Sequence, residues 1–392
     1  MPRILVTQAA RMLRGLDGHV YAPTSSVDDR FWKRYLAVFD EVGVACRVQA
    51  SDVVPADWPR ADGEKVRFHD LPCFVGPWAY LAERKAVRRA LREIVEQYDA
   101  VCLRVPCWIG TLAYRELRSA GRPFGLEVVG DPWDSLAPGT VRSATRPLAR
   151  FLAWRALRRQ CRDAAAAAYV TTAALQRRYP PGSGAYTTHY SSVELNDDAF
   201  VAVARSDFSK AHRLIFVGTL EVLYKAPDVL LRALAQCQRR DVQLTIVGDG
   251  RRRGELEALA QRLAVRRRVR FAGALAAGGA VRAALDEADL FVLPSRQEGL
   301  PRAMLEAMAR GLPCIGSTAG GMGELLPPEA LVGPGDDKGL ARLIEAFLAD
   351  RGRMAAAAAR NLATARAYHR EVLAVRRKSF YEALRDASQG GQ

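Results

Sequence analysis

Two carboxylates eight positions apart, Glu298 and Glu306, bracket a glycine and a proline in the stretch Glu298-Gly-Leu-Pro-Arg-Ala-Met-Leu-Glu306. The run before them, Asp289-Leu-Phe-Val-Leu-Pro-Ser295, is apolar and β-prone and stops at a proline, as a parallel-sheet strand does. A loop and a helix are expected next. Pro301 suits the first helical turn, and the free amides from Arg302 to Met304 then point outward toward an anion such as a diphosphate. Gly299, ahead of Leu300, permits close backbone approach. In this setting Glu298 can accept hydrogen bonds from sugar hydroxyls. Glu306, one to two turns into the helix, can take both hydroxyls of a ribose. The plainer alternative makes Glu298 a helix-dipole partner and Glu306 a solvated helix residue. Against it, Glu306 lies among Met304, Leu305, Ala307 and Met308, and an ionised carboxylate is rarely buried without a partner.

With these residues the chain resembles the large retaining glycosyltransferase family of two-domain GT-B fold, often called family 4 or glycosyl transferases group 1, whose signature is the paired glutamates. The resemblance continues through Pro313, Gly320, Gly321 and Glu324 and upstream into Leu244-Thr-Ile-Val-Gly-Asp-Gly250. It covers most of residues 213 to 345 and extends loosely into the N-terminal half. It implies a nucleotide-sugar donor gripped by the second half of the chain, at Glu298, Gly299, Leu300, Arg302 and Glu306 and at the loops described next.

Phe216-Val-Gly218 ends a strand and Lys225 follows seven residues later, where an ammonium would neutralise a departing diphosphate. Members of the family usually carry an arginine directly after this glycine. Here Thr219 stands in its place, and Ala226 replaces the glycine that commonly follows the lysine. Phosphate binding then rests on Lys225 and helix amides, or on an arginine from elsewhere; a lone lysine before a helix is otherwise a solvated residue. Gly248-Asp249-Gly250 follows a buried strand as the strand-to-helix turn of a nucleotide-binding domain. The full G-x-G-x-x-G series is absent, which argues against a dinucleotide dehydrogenase. Phe271-Ala-Gly273 ends the next strand, where the family's backbone holds the base; Gly273 could equally be a turn residue.

The first half is expected to hold the acceptor. Its first strand leads into a long loop with Gly15, Gly18 and His19, expected at the mouth of the cleft, where His19 either touches the sugar phosphate or caps the loop. Glu127-Val-Val-Gly-Asp131-Pro-Trp-Asp134 follows another strand. Many family members carry a histidine near Gly130 that meets the transferred sugar, and it is missing here. Asp131 or Trp133 would take over its space, with Asp131 joining Lys225 and Glu298 as a catalytic candidate, unless the Asp-Pro pair is only a routine turn. No D-x-D triad occurs, so the metal-chelating signature of the other main transferase fold is lacking, and a metal-independent reaction without a cofactor beyond the nucleotide sugar is expected. The resemblance implies front-face displacement with retention, in which the acceptor hydroxyl attacks as the diphosphate leaves and a phosphate oxygen accepts its proton.

A chain of 392 residues exceeds one ordinary core, so two domains are expected. Strand and helix patterns alternate throughout, which predicts an α/β protein with parallel sheets covered on both faces. The predicted division is an N-terminal Rossmann-like domain over residues 1–195, a linker over 196–210 around Asn196-Asp-Asp198, a C-terminal Rossmann-like domain over 211–370, and a helix over 371–392. The GT-B resemblance has that helix crossing back to the first domain; from sequence alone the tail from Ala365 to Ala387 is equally a surface helix, with Tyr368, Val372, Val375 and Tyr381 forming part of one face.

Hydrophobic content is 49%, yet no run of about 20 apolar residues is present to span a bilayer. The seven cysteines are scattered without a C-x-x-C pair, which fits reduced thiols and a cytoplasmic setting. A net charge of +15 favours anionic ligands or surfaces, although arginine supplies 51 of the 58 basic residues in a chain also rich in alanine, a bias of composition as much as of function. Nucleic acid is the weakest partner, because no zinc finger and no RNP-like aromatic motif occurs. The basic stretch from Arg146 to Arg159 carries Phe151, Leu152 and Trp154; it either lies on an anionic membrane, where lipid-linked acceptors are held, or packs on the core with an arginine-rich outer face. The expected function is transfer of a sugar from a nucleotide diphosphate, expected to be a UDP-sugar, to a hydroxyl of a saccharide, lipid-linked or small-metabolite acceptor. Thr219 and Gly130 leave a second possibility, a sugar-nucleotide-binding protein that has lost catalysis.

Overall fold

Runs of residues apolar on both faces assemble into two separate parallel sheets. The computed structural model describes residues 2–23, 27–73, 76–136 and 145–390. The first sheet contains β1 (Arg3–Arg14), β2 (Val20–Tyr21), β3 (Glu41–Ala50), β4 (Val66–Leu71), β5 (Ala100–Val105), β6 (Gly125–Val128), β7 (Ala166–Tyr169) and β8 (Tyr186–His189). Its order is β4-β3-β1-β5-β6-β7-β8, all parallel, with β2 folded back antiparallel on β1. The second sheet contains β9 (Arg213–Val217), β10 (Gln243–Val247), β11 (Val269–Gly273), β12 (Leu290–Leu293), β13 (Cys314–Ser317) and β14 (Leu331–Val332). It is parallel in the order β11-β10-β9-β12-β13-β14. Strands such as β12 are buried at every residue because helices cover both faces, which is why their sequences read as continuous apolar runs.

Strand order reverses between β1 and β5 in the first sheet and between β9 and β12 in the second. Such reversals open a crevice beyond the carboxyl ends of the strands, the usual ligand position in open α/β sheets. Gly218 directly follows β9, and the loop carrying Glu298 follows β12. The residues singled out by chemistry therefore sit at the second sheet's switch point.

Several elements differ from the sequence-based expectation. β1 continues past Thr7 to Arg14, with a shift in its pairing to β3 between Thr7 and Arg11. The glycines after it thus form a hairpin into β2 rather than a loop at the end of a short strand. β4 and β8 escape notice because polar residues interrupt them, as in Tyr186-Thr-Thr-His189. The segment between β2 and β3 holds only a short α-helix, Asp29–Lys33, followed by a 3₁₀ turn, because β3 already begins at Glu41.

The last helix, Arg370–Gln389, does return to the first domain, packing on β5, β7 and β8. The face it buries is Leu373, Arg377, Phe380, Tyr381 and Leu384, at helical spacing. Val372 and Val375 belong to the opposite phase and are exposed, which corrects the expected stripe. A Cβ at Gly125 of β6 would lie 2.8 Å from Leu384 Cδ2, so the missing side chain lets the helix seat on the sheet. Tyr381 stacks on Tyr35 with ring centroids 4.6 Å apart. Both tyrosines border Glu127, a buried carboxylate that accepts hydrogen bonds from Tyr35 Oη at 3.0 Å, Tyr190 Oη at 2.8 Å and Arg104 Nη1 at 2.7 Å. The chain leaves the first domain near Leu195 and returns beside it, where Arg370 N donates to the Leu195 carbonyl at 2.8 Å. The two crossings lie side by side.

Candidate active site

Lys225 and Glu298 meet across the second sheet's switch point, Nζ to Oε1 at 2.9 Å, and Ser295 Oγ donates to the same oxygen at 2.8 Å. Both charged side chains are largely buried. Gly218 makes room for this arrangement, since a Cβ there would run into the Lys225 stem. A second ion pair, invisible to motif reading, holds the two loops in register. Arg296 clamps Asp228 with both nitrogens, at 2.8 and 2.7 Å, and donates to the Leu223 carbonyl at 2.9 Å. Its own amide donates to the Tyr224 carbonyl at 2.7 Å. Asp228 lies in the first turn of the helix Pro227–Gln236, where a carboxylate also meets the positive end of the dipole. The one sequence signal for this clamp is a charged residue just inside an otherwise apolar helix.

Glu306 lies on the same edge, in the helix Arg302–Ala309. Among the described residues no hydrogen bond or salt bridge reaches its carboxylate. Burial pushes its pKa upward, and Arg302, Arg282 and Lys225 pull the other way. Arg302 is exposed at the helix start, while Leu300 is buried ahead of it. Gly248 at the end of β10 has φ +137°, and a Cβ there would strike the Gly218 carbonyl; its N–H donates to the Gly273 carbonyl at 2.8 Å. These glycines bring the ends of β9, β10 and β11 together. Asp249 does not face the crevice as a free acceptor. It takes the Gly250 amide at 2.7 Å and Arg253 Nη1 at 2.9 Å, contacts that hold its pKa down. Thr219 Oγ1 accepts from the Glu221 amide at 3.2 Å, so it closes a turn and supplies no cation.

In the first domain the structure corrects the role expected of Asp131. Its side chain is buried and fully claimed: it caps the short helix Pro132–Ser135 by accepting from Trp133 N at 2.8 Å, accepts from Tyr179 Oη at 2.5 Å, and pairs with Arg178. A carboxylate so engaged is a scaffold group. Trp133 turns toward the helix Arg146–Asp163, with the Arg150 guanidinium 3.8 Å from its ring centroid. Gly130 leaves open space, since the nearest atom to a Cβ there is Pro106 Cδ at 3.7 Å. His19 binds Asp62 at 3.1 Å and Gly18 takes a left-handed turn, φ +79°. The contacts of this hairpin are with the first domain's own rim.

The two domains are joined at the crevice by polar contacts that sequence reasoning missed. Glu324 of the second domain caps the helix Ala174–Arg178 of the first, accepting from Thr172 N at 2.6 Å, Thr172 Oγ1 at 2.8 Å, Ala173 N at 2.9 Å and Ala174 N at 2.5 Å. Gln297 Nε2 donates to Ser135 Oγ at 2.6 Å. A Cβ at Gly299 would lie 3.0 Å from the Val129 carbonyl, so the loop of Glu298 presses against the ends of β6 and β7. The helix Arg146–Asp163 buries Leu157, Gln160 and Cys161 but exposes Leu148, Phe151 and Leu152. Only its C-terminal half therefore fits the core-packed expectation. Among the described residues no helix is long and apolar enough to cross a membrane, and no group of three or more His, Cys, Asp or Glu is placed to hold a metal ion.

Residues 211–350 match the family model described as glycosyl transferases group 1. The second domain is that of a group 1 glycosyltransferase. The transferase is 27% identical to Protein CapJ of Staphylococcus aureus over 325 residues, 80% of this chain and 79% of CapJ. It is 34% identical over 173 residues to the lipopolysaccharide core biosynthesis glycosyltransferase LpsD of Rhizobium meliloti, a match spanning 43% of this chain and 45% of LpsD. The structure of HepE of Anabaena in complex with UDP-glucose superimposes with a TM-score of 0.66 at 20% identity, covering 98% of the transferase and 99% of HepE. The two α/β domains are those of a GT-B fold.

The upward pKa of Glu306 has a signed consequence. The folded transferase holds this proton more tightly than the unfolded chain, which favours the fold at low pH and is lost as pH rises through the folded value. At pH 7 the Glu306 charge thus weighs against the ligand-free fold. Glu306→Gln is expected to melt no lower than the wild type at pH 7 while its affinity for a nucleoside diphosphate falls roughly tenfold or more, the loss of a charge-assisted acceptor. Calorimetric melting and titration read the two effects separately; unchanged nucleotide affinity would remove Glu306 from the site.

Proposed function

We propose that this transferase moves a hexose from a UDP-sugar to a hydroxyl of a saccharide acceptor, with retention, in the assembly of a cell-surface polysaccharide. The observation that carries the proposal is the cluster at one sheet edge: an ammonium and a carboxylate in contact, a second carboxylate without a partner, and a helix start between them. The ribose would lie on Glu306, the diphosphate at the amides from Arg302 onward and at Lys225, and the sugar hydroxyls at Glu298. An arriving diphosphate competes with Glu298 for the Lys225 ammonium, which releases the carboxylate to accept from the sugar. Lys225 then gains most as charge builds on the leaving group. The complexes of HepE with UDP-glucose support a uridine donor, and LpsD supports a surface-polysaccharide setting.

The acceptor would enter from the first domain, on the side where the ends of β6 and β7 meet Gly299. Asp131 is spent on Arg178 and Tyr179, so it offers no base there. That favours proton transfer to a phosphate oxygen of the donor. The missing arginine at Thr219 is not replaced by Arg296, whose nitrogens are held by Asp228. The burden falls on Lys225. A binding protein without catalysis is disfavoured because Lys225 and Glu298 are already held together at the switch point.

Release of nucleoside diphosphate from a panel of UDP- and GDP-sugars tests the proposal, with UDP-sugars turned over and GDP-sugars not; the reverse would overturn the uridine assignment. Lys225→Ala should lower kcat by about 100-fold or more with a smaller change in KM, as other electrostatic stabilisers do. A near-normal kcat would shift the phosphate role to another cation.

Turnover should survive excess EDTA, and complete loss on chelation with recovery on Mg²⁺ or Mn²⁺ would contradict a metal-independent mechanism.

The exposed Leu148, Phe151 and Leu152 among the arginines of the helix Arg146–Asp163 further support contact with an anionic membrane surface, where lipid-linked acceptors reside. The protein is expected to sediment with vesicles containing phosphatidylglycerol and not with neutral ones, and Phe151→Ser/Leu152→Ser should abolish this. Equal recovery with neutral vesicles, or no recovery at all, would rule it out.

A further inference from the structure

A second charged cluster lies in the first domain, and its charges do not balance. Arg34, Arg104 and Arg377 converge around the single buried carboxylate of Glu127. Arg104 has its counter-charge, donating to Glu127 Oε2 at 2.7 Å, and its pKa is raised accordingly. The other carboxylate oxygen already accepts from Tyr35 and Tyr190. Arg34 is left over. Its side chain is only 9% exposed, its guanidinium lies 3.8 Å from the Phe31 ring centroid, its Nε has no hydrogen-bond partner, and the half-exposed Glu194 stands 3.6 Å from Nη2. Burial pulls its pKa down and the like charge of Arg377 adds to the pull, as expected of a guanidinium without a full counter-ion. Arg377, buried on the returning helix, also has Nε and Nη2 without partners. Leaving buried guanidinium donors unpaired is costly, and an anion is what removes the cost.

A narrow pocket reaches Arg34, Arg104 and Glu127. Arg34, Arg104, Glu127 and Ser192 line it, and Val129 and Val170 line it at the ends of β6 and β7. Val129 and Val170 are also the residues that Gly299 of the second domain approaches. The pocket therefore borders the seam where Gly299, next to Glu298, meets the first domain, on the side from which an acceptor would come in the proposed reaction.

We propose that this pocket, about 10 Å³ and so wide enough for one oxygen of an oxyanion, is an anion subsite for the acceptor, and that the preferred acceptor is a sugar bearing a carboxylate or a phosphate, one oxygen of which is held by Arg34 with Arg377 behind it. The proposal rests on the transferase reading for the word acceptor; the anion site itself does not. Guanidinium groups match both oxyanions geometrically.

Glucuronate, glucose 6-phosphate and uncharged glucose, titrated into the UDP-bound protein by calorimetry, separate the carboxylate, the phosphate and the neutral sugar. At least one anionic sugar should bind roughly tenfold or more tighter than glucose, the scale of one charge-assisted contact. Two variants cover the risk of misfolding. Arg34→Met removes the surplus charge and keeps the stem, and Ser192→Asp supplies a counter-charge from the pocket wall. Each should lose the preference for the anionic sugar while its UDP affinity stays within about twofold of wild type, a change too small to matter against one such contact. Equal binding of glucose and both anionic sugars by the wild type, or an undiminished preference in either folded variant, would overturn the subsite. Failure of UDP to bind the wild type, with anionic preference intact in titrations without nucleotide, would instead remove the transferase reading and leave the anion site standing.

Discussion

The contact on which the second sheet's switch point depends is the ion pair between Lys225 and Glu298. Two charges withdrawn from water at 2.9 Å repay their desolvation only where the geometry is good and the remaining hydrogen-bonding capacity is used. Three features supply that condition. Ser295 takes part of the carboxylate, the Asp228–Arg296 clamp fixes the loops that carry the pair, and Gly218 yields space for the lysine stem. All of them follow from the adjacency of β9 and β12, strands far apart in sequence that become neighbours because the sheet reverses direction there. The pair is thus satisfied within the fold. A buried unpaired lysine in the same place would lose its proton or its position.

The seating of the domains completes the crevice. Glu324 works as an N-cap supplied by the opposite domain, so four donors of the first domain are satisfied only when the second is docked. The returning helix closes the circuit from the other side, carrying Tyr381 to Tyr35 and Arg377 to the neighbourhood of Glu127. The two chain crossings lie side by side at Leu195 and Arg370.

Sequence patterns disclosed the second domain more fully than the first for a physical reason. Parallel strands buried on both faces leave a continuous apolar signature, as in Leu290–Leu293, whereas β4 and β8 are edge or near-edge strands with polar residues and leave none. Glu306 stood out because a charge amid apolar helix neighbours is uncommon. Asp131 misled because a sequence shows a carboxylate at a strand end but not its claimants, here Arg178 and Tyr179, more than forty residues onward. The clamp of Asp228 and the cap by Glu324 have the same character, being pairings across the fold that no local spacing encodes. In the returning helix two apolar phases overlap, and only packing against Gly125 decides for Leu373, Phe380, Tyr381 and Leu384 over Val372 and Val375.

The net charge of +15 carries little information as a total. Many of the arginines sit at the surface beside carboxylates, as in the pairs of Arg253 with Asp249 and of Arg89 with Glu93, where each contact is worth little and needs no partner from outside. The meaningful arginines are the few that folding removes from water. Arg104 and Arg296 are matched by Glu127 and Asp228 and so hold the architecture. Arg34 and Arg377 are buried beyond what the carboxylates around them balance. Stability alone would not retain such groups, since apolar residues of similar size would pack there at lower cost. Aromatic faces, Phe31 for Arg34 and Tyr190 for Arg377, offset part of that cost, and in the proposed subsite an anion from outside the chain would supply the missing counter-charge.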